Sequence, residues 1–284
     1  MTSPVVSING ELRAADGLHV SGLDRGVLLA DGLFETMRGR NGRIFRIDRH
    51  MTRLAAGLTA IGIPVPGTLR DWILAALGAA AHQDARVRLT VTRGLGPPGL
   101  LPPNPVRPTV IIAVWPIGDI AGPGLAAVSL HVASGRRNER AMSAGLKTLS
   151  YTDGVLALIE AQRHGADDAL FLDTDDHCSE TTVANLFAVV DGGLITPPAS
   201  CGALPGITRS VVFELAAALG IRCDERAFGI EDLLGASEAF VTNSTRGPVA
   251  VSRVGDRAIG TGTSGELTRR LADAYRSLVL RECP

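Results

Sequence analysis

Residues 32–62 change their hydrophobic period once, and abruptly. The stretch "GLFETMRGRNGRIFRI" reads as strand, turn and strand around "GRNGR". Directly after it, in "IDRHMTRLAAGLTAIG", Ile47, Met51, Leu54 and Leu58 recur at helical spacing and share one face. The N-terminal part is therefore expected to be an α+β layer. "VVSINGEL", "ARVRLTVTRG" and "TVIIAVWPI" add strands, and "LRDWILAALGAAAH" adds a second helix. "GLGPPGLLPPNPVRP" is too rich in Pro and Gly to be anything but a loop.

The "GDIAGPG" segment, residues 118–124, is the best interdomain break. The expected organisation is a smaller α+β domain over 1–117, a linker over 118–127 and a larger domain over 128–284. The second half reads as strand "LAAVSLHVA", loop "SGRRNERAMSAG", helix "YTDGVLALIEAQRHG", strand "DALFLD", turn "TDDH" and the hairpin "VANLFAVVDGGLITPP". The helix "GITRSVVFELAAALG" follows Pro205, with Gly220 as its stop. "IEDLLGAS", "EAFVTNS" and a final helix close the chain.

Composition narrows the functional classes. A formal net charge of −1 offers no electrostatic case for nucleic acid or an anionic membrane surface. No apolar run is long enough to span a bilayer. Aromatic residues make up only 4%, so the core must be built from Ala, Val, Leu and Ile. The opening residues lack a basic start followed by an apolar core. Cys178, Cys201, Cys223 and Cys283 show no CxxC spacing, and the six histidines no metal-ligand spacing. Reduced thiols in a cytoplasmic protein, with no metal, are the expectation.

One residue breaks the compositional bias. Lys147, in "SAGLKTLSYTDG", is the sole lysine, against 27 arginines. A lysine amine condenses with a carbonyl to give a Schiff base, which a guanidinium in practice does not do. A lone lysine in an Arg-rich chain points to chemistry that needs a primary amine.

The order of motifs around Lys147 is specific. "DGLFETMR", "HMTRL", "GLKTLSY", "GADDALFLDTDDHCSETTVANLFAV", "LITPP", "LPGITR" and "SEAFVTNS" run in sequence from about residue 22 to residue 250. This order resembles the class IV aminotransferases, the fold-type IV pyridoxal phosphate enzymes. That family includes branched-chain, D-amino acid and R-selective amine aminotransferases and 4-amino-4-deoxychorismate lyases. The resemblance implies a two-domain α/β (α+β) fold whose larger domain has a mostly β, barrel-like core with flanking helices. It implies pyridoxal 5'-phosphate as cofactor, an amino donor and a 2-oxo acid acceptor as substrates, and a homodimer. Lys147 would hold the cofactor and act as the proton-transfer base. Glu180 would face the pyridine nitrogen, with Asn185 beside it, and Tyr151 the phenolic oxygen. Arg53, Ile207, Thr208 and Ser244 would bind the phosphate.

The subgroup is less sharply drawn. D-amino acid aminotransferases of the best-known type carry an Arg and a His in the loop after "TRG", where this chain has Pro98 and Leu100. A replacement carboxylate contact is expected on the strand face shared by Phe34, Thr36 and Arg38, with Arg136 and Arg137 as second choice and Thr245 also near substrate. Thr36 and the short "KTLSY" spacing resemble the lyase and D-amino acid subgroups. The expected activity is transfer from a D-amino acid or R-amine to a 2-oxo acid. The alternative is 4-amino-4-deoxychorismate lyase, which expels pyruvate in folate synthesis. A non-catalytic binder that kept the fold is disfavoured by the intact Lys147, Glu180, Arg53 and "GITR".

Overall fold

The period change at Ile47 is a true element boundary in the computed structural model, which describes residues 4–17, 19–122 and 124–284. Pro123 of the expected linker lies outside the described residues. The chain divides into two compact units. The first is Met1–Gly122 with Leu146–Ser150 and Val279–Pro284, and the second is Pro123–Gly145 with Tyr151–Leu278. Lys147 thus goes with the first unit, whereas a linear division at 118–127 assigns it to the second. The cause is main-chain pairing: Leu33 and Thr148 form an antiparallel bridge, Phe34 N–H donates to Lys147 O at 3.0 Å, and Leu149 N–H donates to Gly32 O at 3.1 Å.

The first unit contains β1 (Val5–Ile8), β2 (Glu11–Arg13), α1 (Arg25–Leu29), β3 (Gly32–Arg40), β4 (Arg43–Ile44), α2 (Ile47–Ala60), α3 (Leu69–Ala80), β5 (Asp84–Thr92) and β6 (Thr109–Pro116). The strands form one six-stranded sheet in the order β2-β1-β6-β5-β3-β4. On β3, Leu33 and Met37 point into a core shared with Leu54 and Leu58 of α2 and Ile73 and Leu77 of α3. Each such fully buried apolar side chain contributes about 1.5–3 kcal/mol. Alternation then sends Phe34, Thr36 and Arg38 to the opposite face.

α1 escapes the periodicity argument because it is a single turn. Asp24 makes it by accepting the Gly26 N–H on Oδ1 at 2.7 Å. Arg25, buried, then donates to Asp31 and to the carbonyls of Gly99 and Leu100, which fixes the Pro-rich loop.

The second unit contains β7 (Val128–Arg136), α4 (Thr152–Arg163), β8 (Asp168–Leu172), β9 (Cys178–Thr181), β10 (Asn185–Val190), β11 (Gly193–Thr196), α5 (Ile207–Ala218), β12 (Cys223–Glu225), α6 (Ile230–Leu234), β13 (Glu238–Asn243), β14 (Gly247–Val254), β15 (Arg257–Ala258) and α7 (Glu266–Glu282). α7 ends among residues grouped with the first unit. Strands β10, β13, β14, β7, β8 and β9 pair in that order, and β9 pairs back to β10. The result is a closed six-strand barrel, the β core that the family resemblance implies, with aliphatic filling from Leu130, Leu170, Leu186 and Val251. β7 runs on to Arg136 and takes in the first three residues of the expected loop. All four cysteines are free thiols. Among the described residues, no helix is long and apolar enough to cross a membrane.

Candidate active site

In the first unit, Lys147 is carried by the short segment bridged to β3, and its Nζ lies 4.5 Å from the centre of the Phe34 ring. The Arg88 guanidinium lies over the same ring at 3.7 Å. Register explains this: Thr36 on β3 is opposite Arg88 on β5, so Phe34, Thr36 and Arg88 stand on one sheet face. Arg88 is a cation that motif reading missed. The alternation in "ARVRLTVTRG" signalled it, because every second residue of that strand shares a face with Phe34.

Arg38, expected to contact a substrate carboxylate, is buried among partners of its own unit. Its guanidinium is 3% exposed, pairs with Asp84 and donates to Gly118 O at 3.0 Å. Arg40 pairs with the same Asp84 and, at 2.9 Å, with Asp119. The carboxylate that Arg38 meets here is one of the chain's own, that of Asp84.

Arg53 sits on α2 one turn beyond His50, and both reach back to Glu35 on β3. Arg53 Nε and Nη2 donate to Glu35 Oε1 and Oε2 at 2.8 and 2.7 Å, a bidentate fork. His50 Nδ1 meets Glu35 Oε2 at 2.7 Å. Glu35 and His50 are each 1% exposed. Burial pulls the Glu35 carboxyl up, but hydrogen bonds from His50 and Arg53 and the Arg53 charge outweigh it and bring it down to about 2. Burial pushes the His50 imidazole below its ordinary value, so it is neutral and donates through Nδ1. Neither Glu35 nor His50 was singled out as an Arg53 partner from sequence.

In the second unit, Glu180 on β9 is gripped from three sides. Asn185 Nδ2 donates to Oε2 at 3.2 Å, Leu204 N–H donates to Oε2 at 3.0 Å, and Arg137 pairs with Oε1 at 3.3 Å. Asn185 also donates to Leu204 O at 2.8 Å. Arg137, expected above as a substrate contact, pairs with Glu180 and lies over the Phe171 ring, 4.4 Å from its centre.

Leu204 leads through Gly206 into α5, whose N-terminus no side chain caps. Ile207 and Thr208 are its first two residues, both buried. A Cβ on Gly206 would overlap Asn185 Oδ1, so glycine lets the helix start beside that amide. Arg209 of "GITR" turns away to Glu225 at 2.8 Å and Pro197 O at 3.0 Å.

Tyr151 is the N-cap residue of α4. Ser244 and Thr245 follow β13 in a turn built by Asn243, whose Oδ1 accepts the Thr245 N–H and hydroxyl at 3.1 and 3.0 Å. Directly opposite Asn185 on the adjoining strand β13, Thr242 buries an Oγ1 that has no hydrogen-bond partner among the described residues.

These residues fit pyridoxal phosphate. An uncapped helix start with two buried N–H positions suits a phosphate, a fixed carboxylate suits a protonated ring nitrogen, and a primary amine is present in Lys147.

Comparison with known proteins agrees. The family model described as "Amino-transferase class IV" matches residues 32–254. A putative branched-chain-amino-acid aminotransferase of Methanocaldococcus jannaschii is 33% identical over 277 residues, 96% of each chain. A D-alanine aminotransferase of Bacillus licheniformis is 28% identical over 280 residues, 98% of each. The crystal structure of 4-amino-4-deoxychorismate lyase from Pseudomonas aeruginosa superimposes with a TM-score of 0.84 at 32% identity, covering 96% of this chain and 98% of that one.

Proposed function

The chain belongs to the class IV aminotransferase family, whose members use pyridoxal 5'-phosphate, and from that premise we propose that it moves the amino group of a D-amino acid to a 2-oxo acid, with R-amines as poorer donors. The observation that carries an amino acid as donor is that the Arg88 guanidinium and the Lys147 amine both lie against the Phe34 ring, 3.7 and 4.5 Å from its centre. A cation fixed within reach of the reacting amine is what a substrate carboxylate needs, and an amine without a carboxylate forfeits that contact. The short "KTLSY" spacing and the near full-length likeness to a D-alanine aminotransferase support the D side.

In this reading Lys147 would hold the cofactor and then act as the base that moves the Cα proton of the substrate. The bound cofactor supplies an electron-accepting ring. Glu180 serves the ring nitrogen, and two hydrogen bonds and the Arg137 ion pair hold it in place. Arg53, Ser244 and the α5 start at Ile207 and Thr208 serve the phosphate, and Tyr151 the phenolic oxygen. Arg88 and Thr36 orient the substrate, with Thr245 close to it. Phe34 covers the amine with an apolar surface.

The second reading is 4-amino-4-deoxychorismate lyase. It is favoured by Thr36, a small hydroxyl residue opposite Arg88, and by the likeness to the lyase structure.

The test is an absorbance spectrum of the purified, cofactor-loaded protein while D-alanine is added without a keto acid. Conversion of the yellow lysine-bound cofactor to its amine form supports the D-amino acid reading. Conversion by L-leucine but not D-alanine would move the donor to branched-chain L-amino acids, the class most of the relatives are named for. A yellow protein that answers neither shifts weight to the lyase.

A further inference from the structure

We propose that Asp173, His177 and Cys201 form a binding site for one zinc-class divalent cation, using none of the residues assigned above. Asp173 follows β8 and His177 precedes β9, so a tight hairpin brings them together. The hairpin uses only one of the two Asp173 oxygens: Oδ1 accepts the N–H groups of Asp175 and His177 at 3.0 and 2.8 Å. Oδ2 lies 3.3 Å from His177 Nδ1. The Cys201 thiol, at the end of a 3-10 turn over Ala199–Cys201, lies close to the same carboxylate. One sulfur, one imidazole nitrogen and one carboxylate oxygen therefore converge, all within 4.8 Å of one another.

Ligand atoms bound at about 2.0–2.3 Å in a tetrahedral zinc site are about 3.3–3.8 Å apart. The trio needs to close by little more than about 1 Å, which the half-exposed His177 side chain provides by turning. A thiol beside an imidazole selects a soft or borderline ion and rejects Mg2+ and Ca2+, which take oxygen ligands. Glu139 and Asp175 add negative charge within electrostatic reach of the Cys201 sulfur, partly offset by Arg140, which pairs with both. Asp173 and Cys201 are 2% and 3% exposed, so the cation would be held on its inner side and open to water beyond His177. Binding would tie the β8–β9 turn to the segment whose Leu204 N–H holds Glu180.

The experiment is calorimetric titration of Zn2+ into the full chain, cleared of metal and kept under a phosphine reductant, with Mg2+ as comparison. The expected result is one Zn2+ per chain, no Mg2+ heat, and weakening of at least about tenfold in both Cys201→Ser and His177→Asn. Cys223→Ser, which removes a thiol outside the trio, should bind like the parent. His177→Asn alters a half-exposed side chain and keeps the test decisive if Cys201→Ser folds poorly. The proposal is overturned by the absence of stoichiometric Zn2+ uptake, or by parent-like binding in His177→Asn.

Discussion

Glu35 holds Arg53 by two edges at once, Nε at 2.8 Å and Nη2 at 2.7 Å, and is itself held by His50 from the preceding turn of α2. A long arginine loses side-chain entropy when it is fixed, and a buried carboxylate fork meets that cost before any ligand arrives. Glu35→Gln keeps the shape and removes the charge. It is expected to lower stability by about 1.5–3 kcal/mol and to weaken cofactor binding while the Lys147 chemistry survives at saturating cofactor. Urea unfolding and an absorbance titration with pyridoxal phosphate measure the two effects. Unchanged cofactor affinity would remove Arg53 from the phosphate set.

The same pair sets a pH dependence. The Glu35 carboxyl stands at about 2 in the folded chain against an ordinary 4.5. The stability it supplies is fully present above 4.5 and is lost as pH falls from there toward 2. His50, held below its ordinary 6.5, acts in the same direction: the unfolded chain takes up its proton first, so stability declines as pH falls below 6.5. Unfolding free energy should therefore fall on acidification. The difference between parent and Glu35→Gln should shrink between about pH 4.5 and pH 2. A difference that stays constant across that range would contradict the assignment.

Lys147 tests the central chemistry. Lys147→Arg keeps the positive charge over Phe34 but cannot condense with a carbonyl. The yellow absorbance should vanish, and turnover should fall by at least about 10³-fold. Retained turnover in this variant would sink the assignment of the proton-transfer base.

Arg88 separates donors. If it binds the substrate carboxylate, Arg88→Leu should raise KM for D-alanine and for the 2-oxo acid by about ten- to a hundredfold. The rate with an R-amine donor, which has no carboxylate to lose, should change little. Equal losses for both donors would mean that Arg88 packs Phe34 and nothing more.

What could be read from the chain follows from the range of each interaction. The α2 face, the strand alternation and the motif run from "GLKTLSY" to "SEAFVTNS" are local patterns, and the sheet and the barrel strands appear where they point. Interactions between distant residues were not legible. Arg38 looked available because nothing nearby in sequence neutralises it, yet Asp84 on the neighbouring strand does so across 46 residues. Arg137 was read as a loop cation, but β7 continues to Arg136 and delivers it to Glu180. Lys147 follows the first unit because its main chain bridges β3, a pairing that no periodicity records. α1 is one turn long and rests on the Asp24 cap, so it has no period to detect.

Gly206 shows how a residue without a side chain positions a carboxylate. Its φ of −69° is open to any residue, so conformational freedom is not what selects glycine there. Space is: a Cβ would overlap Asn185 Oδ1. Asn185 cannot retreat without stretching its bonds to Glu180 Oε2 and Leu204 O. Gly206→Ala should therefore cost about 1–3 kcal/mol of stability, the usual penalty of overpacking. It should also loosen Glu180 and lower the catalytic rate more than it raises KM for the amino acid, since the substrate contacts assigned to Arg88 lie on other elements. Double substitution with Asn185→Ala relieves the overlap. It should restore part of the lost stability and none of the activity, because the amide that holds Glu180 is gone. If the single variant matches the parent in both stability and rate, the helix start has room to spare and Gly206 has no part in placing Glu180.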